Sequence, residues 1–253
     1  MDRRSFLAGI ALGAAGVAAE SAVAWPRPDP PLPPAPKQPG RLSFSQQGED
    51  IVLFHLLRDL MKIDHPTYAD IGAADPIESN NTYLLHWNGG HGVLVEPNPM
   101  YQERLHLHRP HDRIVAAGIG VTDATETDYY VIRGQPALNT FSLDQVAFLR
   151  GSTTAYVVER VVKMPLISIN HLFEKYVGKA PDLVSIDIEG MDLAVIRTID
   201  FEKYRPGAFI AETVRMGTPN EDSSIAEFLA AKGYVVRGGS LYNTIFADPA
   251  RYA

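Results

Sequence analysis

Acidic residues that end short apolar runs recur in this chain, and residues 66–76, PTYADIGAADP, constrain the fold most. The β-type run from Thr67 to Ile71 contains Asp70 near its end and breaks at Gly72 into small residues. Such a strand places a carboxylate and an accessible backbone at its carboxyl end, where open α/β sheets bind ligands. A loop of small residues also lets a ligand approach the main chain closely. An ordinary strand-to-turn transition gives the same local pattern, so the other strand ends must decide between the two interpretations.

Three further apolar runs end in acidic residues. Residues 92–95 precede Glu96, residues 183–186 precede Asp187 and Glu189, and residues 208–211 precede Glu212. Glu96 also follows Asp70 at an offset close to the roughly 20 residues at which nucleotide-binding folds place an acid for a ribose hydroxyl. In a parallel sheet the carboxyl ends share one edge, so we expect these carboxylates to converge on one cleft.

Clustered carboxylates favour a ligand that carries positive charge or hydrogen-bond donors. S-adenosylmethionine fits this requirement because it has a sulfonium, an ammonium and ribose hydroxyls but no phosphate. A dinucleotide fits poorly, since its pyrophosphate needs a glycine-rich nest and residues 72–75 lack the full glycine spacing. A divalent metal held by Asp187, Glu189 and Glu212 remains an alternative. Independent helix-start acids would account for one or two of the carboxylates.

Composition excludes several classes of function. The net charge of −7 argues against a nucleic-acid partner, and the absence of cysteine excludes disulfides, thiolate metal sites and cysteine nucleophiles. The length of 253 residues suits one full-sized α/β domain once the N-terminal region is set aside.

The N-terminal region has the features of an export signal and a linker. Residues 1–24 combine the Arg3-Arg4 pair, an apolar Gly/Ala-rich run and small residues before a cleavage point, which resembles a twin-arginine signal. This predicts an exported or periplasmic protein with the twin-arginine export machinery as a partner, or a cytoplasmic one if the signal is not used. Residues 25–40 contain eight prolines and predict an extended linker, so the folded domain is expected at residues 41–253.

The rest of the chain alternates helical and strand patterns. Helical spacing is expected from Ile51 to Met61 after a cap at Ser43 or Ser45, and Asn98 is expected to cap a helix that starts at Pro99. A single third strand is predicted at residues 113–119, a fourth at 127–133, and a helix at 167–177. The weakly patterned residues 134–164 are interpreted as a lid or substrate loop. The acids of the 45–50 segment, SQQGED, have a structural explanation in the first turn of the helix.

Five segments together resemble the FkbM-type methyltransferases: residues 45–50, 70–73, 79–82, 95–98 and 185–190. The resemblance implies a class I Rossmann-like fold, with a mostly parallel seven-stranded sheet and helices on both faces, and S-adenosylmethionine as cofactor. It also implies O-methylation of a hydroxyl on a small molecule or sugar. An exported, catalytically silent Rossmann-like binding module is the alternative, because S-adenosylmethionine is made in the cytosol.

The resemblance also implies roles for individual residues. Asp70 and Gly72 would border the methionine part of the cofactor, Glu96 would hold the ribose hydroxyls, and the segment that includes Asp123 would lie near the adenine. The remaining candidate cofactor residues are Ala73, Asn80 and Asn98.

The acceptor hydroxyl must lose a proton, and Asp187 and Glu189 are the candidate catalytic bases. His86 and His171 are alternatives of the right type, but both lie in helical patterns. No metal is assigned.

Overall fold

The computed structural model describes residues 42–152, 156–188, 190–214 and 223–252. The predictions for residues 1–24 and 25–40 and for Glu189 therefore lie outside the described residues. None of the helices in the described ranges is long and apolar enough to span a membrane.

The central element is a seven-stranded sheet with the order β3-β2-β1-β7-β8-β10-β9. Its strands are β1 Thr67–Ile71, β2 His91–Val95, β3 Arg113–Val115, β7 Leu183–Ile186, β8 Ala208–Glu212, β9 Val235–Gly239 and β10 Asn243–Ala247. The five strands from β3 to β8 are parallel, and β10 is antiparallel to both of its neighbours, β8 and β9. The sheet is therefore mostly parallel, as predicted, and the strand order reverses between the neighbouring strands β1 and β7.

Helices cover both faces of this sheet. In chain order, the α-helices of the described residues are α1 Glu49–His55, α2 Tyr83–Trp87, α3 Pro99–His108, α4 Leu143–Ser152, α5 Ile169–Leu172, α6 Asp192–Arg197 and α7 Ser224–Ala231, and all except α4 contribute to the cores against the sheet. Buried residues of α1, α2 and α3 form a core against one face, and those of α5, α6 and α7 form a core against the other. Alternate residues of β1 serve the two cores, with Tyr68 on the first face and Ala69 and Ile71 on the second. The predicted Rossmann-like fold class is confirmed.

A smaller sheet has the order β4-β6-β5, with β4 Gly118–Gly120, β5 Glu126–Ile132 and β6 Val158–Ser168. The predicted single strand at residues 113–119 is wrong, because it divides into β3 and β4. The chain turns after Val115, where the Ala117 N–H donates to the Val115 carbonyl, and β4 then pairs with β6 instead of β2. This pairing partner lies far along the sequence, so the local pattern gave no sign of the break.

Residues 134–164 contain more regular structure than their pattern predicted. They include the helix α4 and most of β6, which pairs antiparallel with β5. The predicted helix at residues 167–177 starts two residues late, because β6 extends to Ser168 and the Ser168 hydroxyl then caps α5. Residues 173–177 continue α5 as a π-helix.

Residues 45–50 have a structural role, because their buried acids hydrogen-bond to neighbouring parts of the domain. Glu49 and Asp50 are buried, and the Glu49 carboxylate accepts hydrogen bonds from Ser240 Oγ (2.6 Å) and Asn243 Nδ2 (2.9 Å). The Asp50 carboxylate accepts from the Ser43 and Ser45 hydroxyls. The predicted cap at Ser43 or Ser45 is wrong, because the residue before α1 is Gly48, which has no side chain to cap the helix. Glu49 ties α1 to the β9–β10 connection, and both acids lie in the first turn of α1, as their structural explanation predicted.

Candidate functional site

The acid-tipped strands β2, β1, β7 and β8 are adjacent and parallel, so their carboxyl ends share one edge of the sheet. A cleft with an empty volume of about 630 Å³, part of it open to solvent, lies at this edge. Glu96 and Asp187 line it, together with Gly72, and none of the described residues in its lining is a lysine, arginine or histidine. Two of the predicted strand-end carboxylates, Glu96 and Asp187, therefore meet in the cleft, whereas Asp70 and Glu212 do not line it.

Glu96 lies on one side of the cleft, directly after β2. Its carboxylate is 4% exposed and accepts hydrogen bonds from the Ala74 N–H (2.9 Å) and the Asn98 N–H (2.6 Å). Burial, and to a lesser extent the charge of Asp70, raises the pKa of Glu96 to about 7 despite these two donors. An additional donor or a positive charge in the cleft would favour the ionised form.

Gly72 brings the loop after β1 into contact with the loop after β7. It has a φ of +82°, and a Cβ atom at this position would lie 2.1 Å from the Asp187 carbonyl oxygen. The two loops are also joined by a hydrogen bond from the Asp187 N–H to the Ile71 carbonyl (3.0 Å). Only glycine satisfies both the backbone conformation and the available space.

Asp187 is exposed at the opening of the cleft. Desolvation by the surrounding protein, and to a lesser extent the charge of Asp70, raises its pKa to about 6. A carboxylate with this pKa is ionised at neutral pH and can accept a proton from a bound group.

Asp70 lies behind the lining of the cleft and is 4% exposed. Its carboxylate accepts a hydrogen bond of 2.6 Å from Thr82 Oγ1. Burial raises the pKa of Asp70, and the charge of Arg109 opposes this shift. Asp70 therefore contributes negative charge to the cleft, although its side chain lies behind the residues that line the cleft.

Asp192 is a further buried acid at this edge, which the sequence analysis did not select. Its carboxylate accepts hydrogen bonds from the N–H groups of Ile188 and Gly190, both at 3.3 Å. Burial raises the pKa of Asp192 to about 7, with contributions from the charges of Asp187 and Glu212. Its position at the start of α6 gives the same pattern as an ordinary helix-start acid.

The other predicted cofactor residues do not line the cleft. Asn80 and Ala73 lie behind it, where Asn80 Nδ2 donates to the Ala73 carbonyl (3.1 Å). Asn98 caps α3 as predicted, since its side chain accepts from the Met100 N–H. Asp123 is exposed beyond β4, whereas the nearby residues that line the cleft are 117–119.

The alternative histidines and a metal gain no geometric support. His86 is buried and lies 3.1 Å from Asp112, and His171 is exposed on α5. Within the described ranges, no group of three or more His, Cys, Asp or Glu residues is arranged to hold a metal ion.

The wall opposite the strand ends comes from the chain between β4 and β6. Residues 136, 137 and 139–141 line the cleft together with Tyr129 of β5. Tyr129 is 4% exposed, and its ring centroid lies 4.7 Å from that of Phe141. The sequence pattern predicts a loop with a functional role here, but it does not indicate that these side chains line a cleft.

The fold and the acidic cleft define an α/β protein of the Rossmann-like methyltransferase class. Comparison with protein families matches residues 70–236 to the methyltransferase FkbM domain. The chain therefore belongs to the FkbM methyltransferase family, and its class is that of S-adenosylmethionine-dependent methyltransferases.

Solved structures and curated proteins were also compared. The chain is similar to the precorrin-6y C5,15-methyltransferase of Geobacter metallireducens, with 15% identity, a TM-score of 0.40, and coverage of 78% of this chain and 87% of that one. It is also similar to the O-methyltransferase of Bacillus cereus solved with SAH, with 13% identity, a TM-score of 0.38, and coverage of 85% and 84%. A comparison with curated proteins gives no match.

Proposed function

We propose that this protein transfers a methyl group from S-adenosylmethionine to a hydroxyl of a small molecule or sugar. The observation that carries this proposal is the cleft at the carboxyl edge of the sheet, which Glu96 and Asp187 line and in which no described lining residue is cationic. Such a surface disfavours a phosphate-bearing ligand and favours one with positive charge and hydroxyl donors. Membership of the FkbM methyltransferase family supports the same conclusion.

The hydrogen-bond acceptors and the negative charge of the cleft fit the cofactor. The Glu96 carboxylate would accept hydrogen bonds from the ribose hydroxyls, and the methionine part would lie at the Gly72 backbone, beside Asp70 and Asp187. Ala73, Asn80 and Asn98 would act by holding the loops that carry these residues, since each bonds to protein atoms next to the cleft. The adenine would lie toward residues 117–119 and the segment that includes Asp123.

The cofactor, when bound, supplies a methyl group activated by its sulfonium. The protein must then hold the acceptor oxygen in line with that methyl and remove the hydroxyl proton. Asp187 is the proposed base, because it is exposed in the cleft and its pKa, raised to about 6, leaves it ionised at neutral pH. Glu189 is the second proposed base. The aromatic wall of Tyr129 and Phe141 would face the acceptor side and exclude water.

The test uses the purified full chain. Calorimetry with S-adenosylmethionine and its demethylated product is expected to show binding, which replacement of Asp70 or Glu96 by Ala abolishes. Replacement of the exposed Glu103 by Ala is the matched control and is expected to leave the affinity unchanged. Unchanged affinity in the Asp70 and Glu96 variants would overturn the cofactor placement.

The acceptor class needs a separate experiment. Methyl transfer from labelled S-adenosylmethionine is measured against sets of alcohols, sugars and amines, and label is expected in the alcohols or sugars. Label found only in amines would refute the O-directed assignment. Denaturation of the purified protein followed by mass spectrometry would also reveal cofactor that copurifies.

A second candidate function is an exported, catalytically silent binding module. The twin-arginine-like sequence of residues 1–24 favours it. From this sequence we propose an exported or periplasmic location, with the twin-arginine export machinery as a partner. Under this proposal the purified protein binds neither S-adenosylmethionine nor its demethylated product. N-terminal sequencing of the cellular protein would show removal of residues 1–24 if the signal is used, and a full-length cytoplasmic chain if it is not.

A further inference from the structure

Arg109, the residue after α3, is fully buried at 0% exposure. A guanidinium has five N–H donors, and each donor of Arg109 has an acceptor within 3.3 Å. The acceptors are Asp112 Oδ2 (2.8 Å), the Pro76 carbonyl (3.3 Å), Asn80 Oδ1 (3.1 Å), Tyr68 OH (3.1 Å) and Thr82 Oγ1 (2.8 Å). Lysine has three donors at a single atom and cannot reproduce this pattern.

Three of the five acceptors belong to the segment that follows β1. This segment, residues 72–82, is named the cofactor loop here. Pro76 and Asn80 anchor its middle and its end to Arg109, and Asn80 Nδ2 in turn donates to the carbonyls of Ala73 and Asp75, both at 3.1 Å. The Ala74 N–H, which belongs to the same peptide group as the Ala73 carbonyl, donates to the Glu96 carboxylate. The contacts thus run without a break from Arg109 to the carboxylate proposed to hold the ribose.

A second connection runs through Thr82 to Asp70. Thr82 is 0% exposed, and its hydroxyl accepts from Arg109 Nη2 and donates to Asp70 Oδ2 (2.6 Å). The hydroxyl therefore fixes the direction of the Asp70 carboxylate relative to the guanidinium. Asp112 balances the charge of Arg109 and is itself held by Tyr68 OH and the Gly92 N–H.

We propose that Arg109 is a positioning residue for cofactor binding, which holds the cofactor loop against Glu96 and orients Asp70 through Thr82. This inference rests on the proposed function of the cleft. Arg109 is not in the cleft lining, so it acts only through the groups that it holds.

The test compares the S-adenosylmethionine affinity of four variants of the full chain by calorimetry. Arg109→Lys and Thr82→Val are each expected to weaken binding at least about tenfold, because both connections start at Arg109 and the second one runs through the Thr82 hydroxyl. Thr82→Ser keeps the hydroxyl and is expected to stay within about threefold of the unsubstituted protein. Leu229→Ala, in the core on the opposite face of the sheet, is the control for stability. It should lower the thermal stability without changing a contact of the cofactor loop. It is expected to keep its affinity at a temperature where all four variants are folded.

Two results would overturn the inference. One is an affinity of Thr82→Val within threefold of that of Thr82→Ser, and the other is an equal loss of affinity in Leu229→Ala. Thr82→Val removes no charge, so it keeps the test decisive if Arg109→Lys does not fold.

Hydrogen exchange separates this inference from the proposed function. Amides of residues 72–82 are expected to exchange faster in Arg109→Lys or Thr82→Val than in Leu229→Ala, without any ligand present. If the unsubstituted protein binds no S-adenosylmethionine but the loop loosens in this way, the proposed function fails and the positioning of the loop stands. Unchanged exchange in residues 72–82 would refute the positioning role itself.

Discussion

Replacement of Glu96 by Gln tests the electrostatics of the cleft most directly. Glu96 is almost completely buried, and its pKa is raised from 4.5 to about 7 by burial. A carboxyl group whose pKa is higher in the folded state binds more protons folded than unfolded between these two values. The free energy of unfolding therefore falls as the pH rises from about 4.5 to about 7.

The magnitude follows from proton linkage. With a pKa of 4.5 unfolded and about 7 folded, ionisation of Glu96 lowers the free energy of unfolding by about 1 kcal/mol at pH 5 and about 3 kcal/mol at pH 8. Glutamine does not ionise, so it removes this dependence. Its amide oxygen can accept from only one of the two N–H groups that Glu96 accepts from, which costs about 1–3 kcal/mol at both pH values.

We therefore expect Glu96→Gln to be up to about 2 kcal/mol less stable than the unsubstituted protein at pH 5, and as stable or up to about 2 kcal/mol more stable at pH 8. Urea unfolding of the full chain at both pH values measures this difference, which should move by about 2 kcal/mol toward the variant. Glu103→Gln, at an exposed position on α3, is the control and should show no such movement. If the difference in free energy of unfolding between Glu96→Gln and the unsubstituted protein does not change with pH, burial does not disfavour the ionised carboxylate and the reasoning is refuted.

The same variant tests the ligand. A glutamine accepts hydrogen bonds from hydroxyls less strongly than a carboxylate, and bonds to charged groups are worth about 1.5–3 kcal/mol. The S-adenosylmethionine affinity of Glu96→Gln should fall about tenfold or more. An unchanged affinity would place the ribose away from Glu96.

Three further variants test other parts of the structure. Gly72→Ala should destabilise the protein by more than the roughly 1–2 kcal/mol of a positive φ alone, because its Cβ would meet the Asp187 carbonyl; Gly134→Ala, with φ +67° and no atom within 4 Å, is the matched control in thermal unfolding. Asp187→Asn should lower kcat at least about 10²-fold with little change in cofactor affinity; the residual activity should lose the decline below about pH 6 that protonation of Asp187 causes, and a retained decline would assign the base elsewhere. Glu49→Ala should lower the urea stability by about 2–3 kcal/mol, because Ser240 and Asn243 lose their shared acceptor; a negligible change would show that water replaces it.

The sequence was sufficient for the parts of the fold that depend on local pattern. Apolar runs with an acid at their end located the ends of β1, β2, β7 and β8, and the helix predicted to start at Pro99 formed there. The cleft followed from these ends because parallel strands bring them to one edge.

Other features depend on distant partners and could not be found in this way. The division between β3 and β4 depends on β6, and the strand β6 has an irregular exposure pattern and contains Pro165. Arg109 precedes a proline at the end of a helix, which is typical of a surface turn. Its burial results from acceptors that lie 27 to 41 residues earlier in the chain. The signal was only the pairing of Arg109 with Asp112 three residues later.

The position of β10 has a consequence for how the protein is synthesised. β10 lies between β8 and β9, although both of these strands leave the ribosome before it. Until residues 243–247 have been translated, β9 has no neighbour in the sheet and the edge of β8 is open to pairing with other chains. Folding of the nascent chain can therefore build the sheet from β3 to β8 in advance but cannot close it early, and β10 completes the domain in a single late step.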